Sequence, residues 1–317
     1  MRKVAVVIPN LNGMAYLEAC LGSLEVQKYP VIMVDNGSTD GSVEFVKKYY
    51  PEVELICLDK NYGFCKAVNE GIKSCDAEFV ILLNNDTKAA VGFVENLLNA
   101  IQQDEKIFSC QAKMMQMDKP DLIDSAGDFY CALGWQRARG KDCLGTSCSK
   151  ADEIFSSCGG AAIYRRDVFE KIGYFDEAHF AYLEDVDIGY RARIAGYQNR
   201  FVPDATVYHK GSGATGSRYN RFKVEHSAKN NVYMIYKNMP YWQIVINLPF
   251  LVIGWLIKFL FFSVKGMGPV YIKGLWKGVL LARAGEKVSF LPENLDNCWS
   301  IQLQLWKNLF LLLRKNQ

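Results

Sequence analysis

Residues 31–41 read Val-Ile-Met-Val-Asp-Asn-Gly-Ser-Thr-Asp-Gly. A short apolar run leads directly into small polar side chains and glycines, which predicts a buried strand that ends in a surface turn. Outward along the chain, similar apolar runs occur at 4–8, 54–58 and 78–83, and segments with helical spacing of apolar residues separate them. This alternation predicts an α/β fold with a mostly parallel central sheet and helices on both faces.

The composition excludes several classes of protein. The chain has 317 residues, half of them hydrophobic, and a net charge of only +3. Nucleic-acid-binding domains have a stronger basic excess, so we predict no nucleic-acid partner. The ten cysteines are scattered and include no Cys-x-x-Cys pair, which predicts reduced thiols in a cytoplasmic protein rather than a disulfide or zinc framework. The start of the chain resembles a strand rather than a signal peptide, so we expect the active part to stay in the cytosol.

Polar side chains and glycines follow each of the first four predicted strands. Any one of these segments is an ordinary turn sequence. The carboxyl ends of parallel strands meet at one edge of a sheet, however, and ligands bind there. Glycines let the backbone approach a diphosphate closely, Asp35 offers acceptors to a base or ribose, and the carboxylate of Asp86 suits Mg²⁺ or Mn²⁺. The four segments are residues 9–13, 35–38, 61–64 and 84–86.

The same segments resemble family 2 glycosyltransferases of the GT-A fold, most closely the bacterial rhamnosyltransferase-type members. The resemblance covers about residues 3–215. It is carried by Val6-Val7-Ile8-Pro9-Asn10, Val34-Asp35-Asn36-Gly37-Ser38-Thr39-Asp40-Gly41, Asn61-Tyr62-Gly63-Phe64 and Leu83-Asn84-Asn85-Asp86. It implies a nucleotide-sugar donor, dTDP- or UDP-linked, bound by Pro9, Asn10, Asn12, Asp35, Ser38, Asn61, Gly63, Asn69 and Asn85.

The resemblance also implies a divalent metal, Mg²⁺ or Mn²⁺, at the motif after the fourth strand. The family motif often has two acidic residues, but its first position here is Asn84, which leaves Asp86 as the metal ligand from this motif. His209 follows a strand-like run and corresponds to a histidine that joins the metal shell in metal-dependent relatives. Lys210, Ser212 and Arg218 lie in a glycine-rich stretch that we predict to be a lid over the diphosphate.

The resemblance places the acceptor half of the site in residues 158–188. The small-residue turn with Gly160 and Ala161 is expected to form the floor of the acceptor pocket. Glu184 and Asp185 stand at the start of a predicted helix, where Asp185 is implied to be the general base and Glu184 to contact the acceptor. We expect the positive end of the helix dipole to keep Asp185 ionised. Asp187 is assigned a supporting, structural role.

These assignments predict an inverting, metal-dependent transfer of rhamnose or a similar hexose to a hydroxyl of a glycan or a polyprenyl-linked acceptor, in cell-surface polysaccharide synthesis. One alternative is a non-catalytic nucleotide-sugar-binding scaffold subunit of a polysaccharide assembly complex. The presence of both Asp86 and Asp185 argues against it. Another is a nucleotidyltransferase, which needs a glycine-rich loop with Lys or Arg after the first strand. Residues 9–13 contain no such cation.

The C-terminal third is long, apolar and basic. Residues 242–262 approach the ~20 apolar residues that span a bilayer, although Asn247, Pro249 and Lys258 interrupt them. Further apolar helices are predicted at 270–283 and 299–315, with lysines and arginines between the apolar residues. We predict monotopic attachment to an anionic membrane surface, at the cytoplasmic face of the cell membrane. The alternative is a helical subdomain packed on itself or in a homodimer.

The predicted domain organisation follows from the change to long apolar and basic stretches after about residue 225. Residues 1–225 form the GT-A catalytic domain, with a nucleotide-sugar-binding half at 1–110 and an acceptor-binding half at 111–225. Residues 226–317 form the helical, membrane-associating region. Every proposed catalytic group precedes residue 215, so the C-terminal region is not expected to build the site.

Overall fold

The computed structural model describes residues 3–25, 29–211 and 219–313. The predicted lid residues Ser212 and Arg218 lie outside these ranges, as do the last two residues of the helix predicted at 299–315. The strands are β1 (Val4–Asn10), β2 (Val31–Asp35), β3 (Glu54–Cys57), β4 (Phe79–Leu83), β5 (Thr87–Ala89), β6 (Ile107–Gln116), β7 (Ile123–Ser125), β8 (Asp128–Tyr130), β9 (Gln136–Ala138), β10 (Asp152–Ile154), β11 (Ala161–Arg165) and β12 (Gln198–His209).

Ten α-helices accompany the strands in the described residues. They are α1 (Met14–Glu25), α2 (Ser42–Tyr49), α3 (Phe64–Ser74), α4 (Phe93–Ile101), α5 (Arg166–Ile172), α6 (Glu184–Ile194), α7 (Arg221–Asn238), α8 (Tyr241–Val264), α9 (Gly268–Ala284) and α10 (Leu295–Leu313).

The central sheet has the order β10-β12-β6-β11-β4-β1-β2-β3, and β5 and β7 pair at its side with β12 and β6. Strands β4, β1, β2 and β3 are parallel, which confirms the predicted parallel half. The other half is mixed, because β11 runs antiparallel to both β4 and β6, while β12 runs parallel to β6. The mixed half brings the far end of β12 to the same edge as the ends of β1 and β4.

Both faces of the sheet are covered, as the continuous apolar runs predict. Val6 and Ile8 of β1 point to a core that includes α1 and α4, whereas Val7 points to a core that includes α3, α5 and α6. Alternate residues of one strand therefore serve two separate cores. This packing fixes the strand ends, and with them the loops that follow.

The C-terminal helices pack on the α/β body rather than standing apart from it. Ile301 and Leu305 of α10 share a core with Tyr130, Val186 and Tyr190. Helix α7 contacts both α6 and α9. The predicted division between residues 225 and 226 falls inside α7, and the two-part domain organisation stays a prediction.

Helix α8 has an outer apolar face and an inner polar one. Among the described residues it is the one helix long and apolar enough to cross a membrane by length and composition. Asn247, which interrupts the apolar run in the sequence, is buried and exchanges amide hydrogen bonds of 2.7 and 3.0 Å with Gln302 of α10. The exposed apolar side chains of α8 include Val245, Leu248, Val252, Ile253, Leu256, Ile257, Leu260, Phe261 and Val264.

Candidate active site

A cavity of about 690 Å³ opens at the carboxyl edge of the parallel strands. It is bounded by the ends of β1 and β4, the loops after β2 and β3, the turn before β11, and the starts of α6 and α7. The predicted site residues that line it are Pro9, Asn10, Asn61, Gly63, Asn85, Asp86, Gly160, Glu184, Asp185 and His209. A larger surface cleft of about 920 Å³ lies at the opposite edge, beside Glu78 and Arg166, and holds none of the predicted site residues.

Asn10 is the centre of a hydrogen-bond network on the donor side of the cavity. Its Nδ2 donates to Oδ1 of Asp35 over 2.8 Å, and its Oδ1 accepts from Nδ2 of Asn85 over 2.7 Å. The parallel register sets Asn10 opposite Asp35, which explains the first contact. A Cβ on Gly13 would lie 2.0 Å from Nδ2 of Asn85, so only glycine fits beside this network.

Three of the predicted donor-binding residues support the network from outside the cavity lining. Oδ2 of Asp35 accepts from the backbone N–H of Ser38, and Oγ of Ser38 accepts from the backbone N–H of Asn12, over 2.9 and 2.8 Å. Oδ1 of Asn12 in turn accepts from the backbone of Thr39. These contacts fix the loops after β1 and β2. Direct donor contacts by Asp35, Ser38 and Asn12 stay predictions.

Asn36 organises the loop after β3 and was not among the predicted site residues. Its Nδ2 donates to Oδ1 of Asn61 and to the carbonyl of Gly63, both over 3.1 Å, and its Oδ1 accepts from the backbone of Tyr62. Asn36 also lines the cavity. Gly63 has a φ of 90°, and a Cβ there would lie 2.6 Å from the carbonyl oxygen of Phe180. The loop is therefore set by contacts on both of its sides.

Two further predicted site residues, Asn69 and Ala161, lie away from the cavity lining. Asn69 is buried on α3, where its Nδ2 donates to the carbonyl of Phe175 over 2.8 Å and its Oδ1 accepts from the backbone of the same residue. This pair of contacts holds the segment before α6 against α3, which differs from the predicted donor contact. Ala161 is fully buried at the start of β11, opposite Leu83 of β4, whereas its neighbour Gly160 faces the cavity.

The predicted metal ligands meet at one corner of the cavity. Nε2 of His209 lies 3.2 Å from Oδ1 of Asp86, and Nδ1 of His209 lies 2.8 Å from Oδ2 of Asp124. Burial alone would lower the pKa of His209, but the hydrogen bonds and charges of Asp124 and Asp86 raise it to about 9. Asp124 was not predicted, because it reaches His209 only through the pairing of β7 and β12 on either side of β6.

This corner fits a divalent cation. A metal-ligating histidine commonly gives its second ring nitrogen to a carboxylate, and Asp124 occupies that position. A cation between Asp86 and Nε2 of His209 would take the place of the imidazolium proton. In the part of the chain that the structure describes, no group of three or more His, Cys, Asp or Glu side chains could hold a metal ion. Asp86 and His209 would therefore be the protein ligands, with a diphosphate completing the shell.

The carboxylate pair Glu184–Asp185 begins α6 on the other side of the cavity. Oδ1 of Asp185 accepts from the backbone N–H of Gly159 over 2.8 Å. Burial and the charge of Glu184 raise the pKa of Asp185 well above the usual carboxyl range, and burial raises the pKa of Glu184 to about 7. The expectation that the helix dipole keeps Asp185 ionised is wrong, because burial beside a second carboxylate outweighs the dipole. Burial and the two neighbouring charges thus favour the protonated form of the pair.

The start of α7 contributes to this site. Asn220, Phe222 and Lys223, at the start of α7, line the cavity. Asn238, at the other end of the helix, donates from Nδ2 to Oδ1 of Asp187 over 2.7 Å. Asn220, Phe222 and Lys223 fall within the predicted acceptor-binding half at 111–225, whereas Asn238, in the region predicted at 226–317, contacts Asp187, which does not line the cavity.

The sheet order, with the cavity at its carboxyl edge, corresponds to the GT-A fold. Three solved structures share the fold, each at 18% sequence identity. GalNAc-T7 with UDP, GalNAc and Mn²⁺ has a TM-score of 0.60, and the match covers 74% of this chain and 48% of that one. Staphylococcus aureus TarS 1–349 with UDP-GlcNAc has a TM-score of 0.58, with coverages of 95% and 90%, and the mannosyltransferase PcManGT from Pyrobaculum calidifontis with GDP-Man and Mn²⁺ has a TM-score of 0.54, with coverages of 97% and 82%.

The chain belongs to glycosyl transferase family 2, whose family model matches residues 5–173. It is similar to the N-acetylglucosaminyl-diphospho-decaprenol L-rhamnosyltransferase of Mycobacterium tuberculosis, with 27% identity over 256 residues that cover 72% of this chain and 82% of that protein. It is also similar to the chondroitin synthase of Pasteurella multocida, with 24% identity over 65% of this chain and 24% of that protein. The protein is therefore a hexosyltransferase, which confirms the predicted class and fold.

Proposed function

We propose that the protein is an inverting, metal-dependent glycosyltransferase that moves rhamnose or a similar hexose from a dTDP- or UDP-sugar to a lipid-linked glycan acceptor in cell-surface polysaccharide synthesis. The observation that carries the proposal is the meeting of Asp185 with the pair Asp86 and His209 around one cavity. The similarity to an enzyme that is named for a diphospho-decaprenol acceptor supports the acceptor class.

The proposed reaction is a single displacement. Asp185 removes the proton from the acceptor hydroxyl, and the oxygen attacks the anomeric carbon on the face opposite the nucleotide. One in-line displacement inverts the anomeric centre. A Mg²⁺ or Mn²⁺ held by Asp86 and His209 would supply Lewis-acid stabilisation of the departing diphosphate. Asn10, Asn61 and the adjacent backbone bind and orient the donor.

The direct test is a transfer assay with dTDP-rhamnose and other nucleotide hexoses, on a synthetic N-acetylglucosaminyl-diphospho-lipid acceptor. We expect a product whose new linkage has the opposite anomeric configuration to the donor, as measured by NMR coupling constants. Retention of configuration would contradict the single displacement. Failure of every nucleotide sugar to react, with or without acceptor, would contradict the proposed function.

The metal assignment predicts that Asp86→Ala weakens metal-dependent donor binding by about tenfold or more, because one of two protein ligands and its charge are lost. Calorimetry of UDP or dTDP binding with Mn²⁺ measures the effect, and EDTA should reproduce it in the parent protein. Asp204→Ala, which removes an exposed carboxylate on β12, is the control and should bind as the parent does. Activity that EDTA leaves unchanged would contradict the assignment.

The carboxylate pair predicts a shifted pH dependence in Glu184→Gln. Asp185 must be unprotonated to act as the base, so transfer rises as the pH rises through its elevated pKa. The charge of Glu184 contributes to that elevation, and its removal lowers the pKa of Asp185. The acidic limb of the kcat/KM profile should therefore move to lower pH in the variant. A limb that stays in place, or moves to higher pH, would show that Asp185 does not control it.

We further propose that the exposed face of α8 attaches the enzyme to the cytoplasmic face of the cell membrane. Its apolar side chains form a continuous stripe, and Trp299 of α10 and Trp276 of α9 extend the exposed apolar surface. Polar residues of α8 such as Gln243 and Asn247 face the protein instead. A helix with this division of faces can lie in the membrane surface without crossing it. Basic residues of α9 would then face anionic headgroups.

This proposal predicts that the full chain floats with anionic liposomes, and that the double variant Leu256→Glu/Leu260→Glu floats at least about tenfold less, since two exposed apolar side chains no longer enter the lipid. Part of the binding should weaken at high salt. Tyr49→Glu, at an exposed site on α2, is the matched control. Substitution is preferable to truncation after Asn238, which would uncover Tyr130 and Tyr190. If the parent ignores liposomes and light scattering shows a dimer, the face is a subunit interface.

A further inference from the structure

We propose that Phe180, Tyr182 and Phe222 form the acceptor subsite, where they stack against a hexopyranose ring of the acceptor, and that Asn230 is the positioning residue that maintains its shape. We call the three aromatic side chains the aromatic wall. The inference rests on the proposed function and deepens it, because it assigns the acceptor sugar to residues that the motifs do not mark.

The aromatic wall borders the cavity on the side of the catalytic carboxylate. All three side chains line the cavity, and the ring of Phe222 lies edge-on to those of Phe180 and Tyr182, at centroid distances of 6.1 and 6.2 Å. Phe222 is 43% exposed. Large aromatic surfaces left open to a cavity beside a few polar groups are typical of ligand-binding sites, and a pyranose ring offers a matching apolar C–H face.

The wall lies beside the catalytic carboxylate along the chain, and Phe180 also packs against Gly63 of the loop after β3. Residues 180 and 182 lie five and three positions before Asp185, which removes the acceptor proton in the proposed reaction. The donor-side groups, such as Asn10 and Asp86, come from the ends of β1 and β4. A sugar ring on the wall would therefore stand next to the base, as an acceptor must.

The backbone of residues 180–183, which carries two rings of the wall, adopts conformations that need support from neighbouring residues. Phe180, Tyr182 and Leu183 have φ values of 66, 73 and 68°, in the left-handed region that side-chain-bearing residues rarely adopt. Such conformations persist where surrounding contacts over-determine them, and they concentrate at ligand-binding sites. The support comes from α7 and from α3, where the backbone N–H of Cys65 donates to the carbonyl of Phe180 over 3.4 Å.

Asn230 of α7 holds the segment from behind. It is fully buried, and its Nδ2 lies 3.0, 2.8 and 2.7 Å from the carbonyl oxygens of His179, Ala181 and Tyr182. Nζ of the neighbouring Lys229 donates to the carbonyl of Ala178, the residue before His179, over 2.8 Å. A single amide nitrogen therefore donates to three backbone carbonyls that converge on it. These contacts hold the backbone so that two rings of the wall face the cavity.

The residues just before α7, which carries Phe222, reach the end of α8. Tyr219, close to Phe222 in the chain, places its ring 5.5 and 6.0 Å from the rings of Phe261 and Phe262 at the end of α8. Nζ of Lys265 lies 5.1 Å from the ring of Phe261. An acceptor whose lipid lies along α8 would bring its sugar to the wall past this cation, which suits a diphosphate-linked lipid.

The first test is Phe222→Ala, with Phe222→Tyr as the conservative variant and Tyr49→Ala as the control for loss of an exposed ring. We expect the acceptor KM to rise about tenfold or more in Phe222→Ala, as for loss of one stacked aromatic contact. Donor KM and acceptor-independent donor hydrolysis should not change, and Phe222→Tyr should restore the acceptor KM. A rise in donor KM instead, or no change in either constant, would overturn the subsite.

The second test addresses Asn230. In Asn230→Ala the acceptor KM should rise while donor affinity, measured by calorimetry, stays constant, and Phe222→Ala should add little to this variant because both act through one wall. Lys229→Met, which loosens the same segment from a half-buried position, provides a milder variant if Asn230→Ala does not fold. Full additivity, or an equal loss of donor affinity, would overturn the positioning role. If the parent protein hydrolyses the nucleotide-sugar donor, the proposed function stands, and either of these two outcomes then counts against Asn230 alone.

Discussion

Asp185→Asn is expected to lower the rate of sugar transfer by about 10²–10⁴-fold, which is the range for loss of a positioned general base. The amide keeps the size of the side chain and can still accept the hydrogen bond from the backbone of Gly159. The fold and donor affinity should therefore be retained. The loss should appear in kcat at saturating donor and acceptor, because the interaction is made only in the transition state.

Three measurements make this result specific to the base. The melting temperature and the Kd for the nucleotide diphosphate should match those of the parent protein. Asp167→Asn, which changes an exposed carboxylate on α5, should transfer at the parent rate. Donor hydrolysis by Asp185→Asn need not fall equally, since water can be deprotonated by solvent. Turnover near that of the parent would remove Asp185 from its role.

The meeting of the strand ends at one edge of the cavity could be predicted from the sequence, because local signals determine it. Asn10 and Asp35 each end an apolar strand, and parallel pairing brings successive strand ends together whatever the details of the loops. The metal corner could be predicted only in part. His209 follows a strand, but its partner Asp124 depends on a short strand that pairs at the side of the sheet.

The aromatic wall that we propose as the acceptor subsite was not predicted, because its contacts join distant parts of the chain. Asn230 contacts residues 179, 181 and 182 from a helix that the sequence assigns to another region. The pKa values of Glu184 and Asp185 also depend on burial, which tertiary packing sets and local sequence does not. A predicted helix N-terminus indicates an ionised carboxylate, and the packing of the cavity reverses that inference.

Asp187 is expected to matter for stability rather than for chemistry. It is fully buried on α6, and its carboxylate lies 2.7 Å from Nη2 of Arg191 and 3.2 Å from Nζ of Lys237. Asn238 donates a further hydrogen bond. Two of these three partners belong to α7, so the cluster joins α6, which carries Asp185 in its first turn, to α7, which carries Asn230. The carboxylate of Asp187 therefore holds α6 and α7 together without facing the cavity.

Asp187→Ala should lower the free energy of unfolding by about 3–5 kcal/mol, because it leaves buried cations without their shared carboxylate. Denaturant unfolding measures the change. The matched control is Asp167→Ala, which breaks the exposed i,i+4 pair with Lys171 and should cost about 0–1 kcal/mol. Similar costs for the two variants would contradict a stabilising role for the buried cluster.

The pH dependence of that difference provides an independent check on Asp187. Burial alone would raise the pKa of Asp187, but the charges of Arg191 and Lys237 lower it far below the usual carboxyl range. The pKa in the folded protein is thus below the value of about 3.9 in the unfolded chain. A depressed pKa contributes stability that is fully present above the unfolded value and is lost as the pH falls toward the folded one. The gap between the parent and Asp187→Ala should therefore be constant from pH 8 to about 5 and narrow below about 4. A gap that widens on acidification would mean that the carboxylate is not held by these cations.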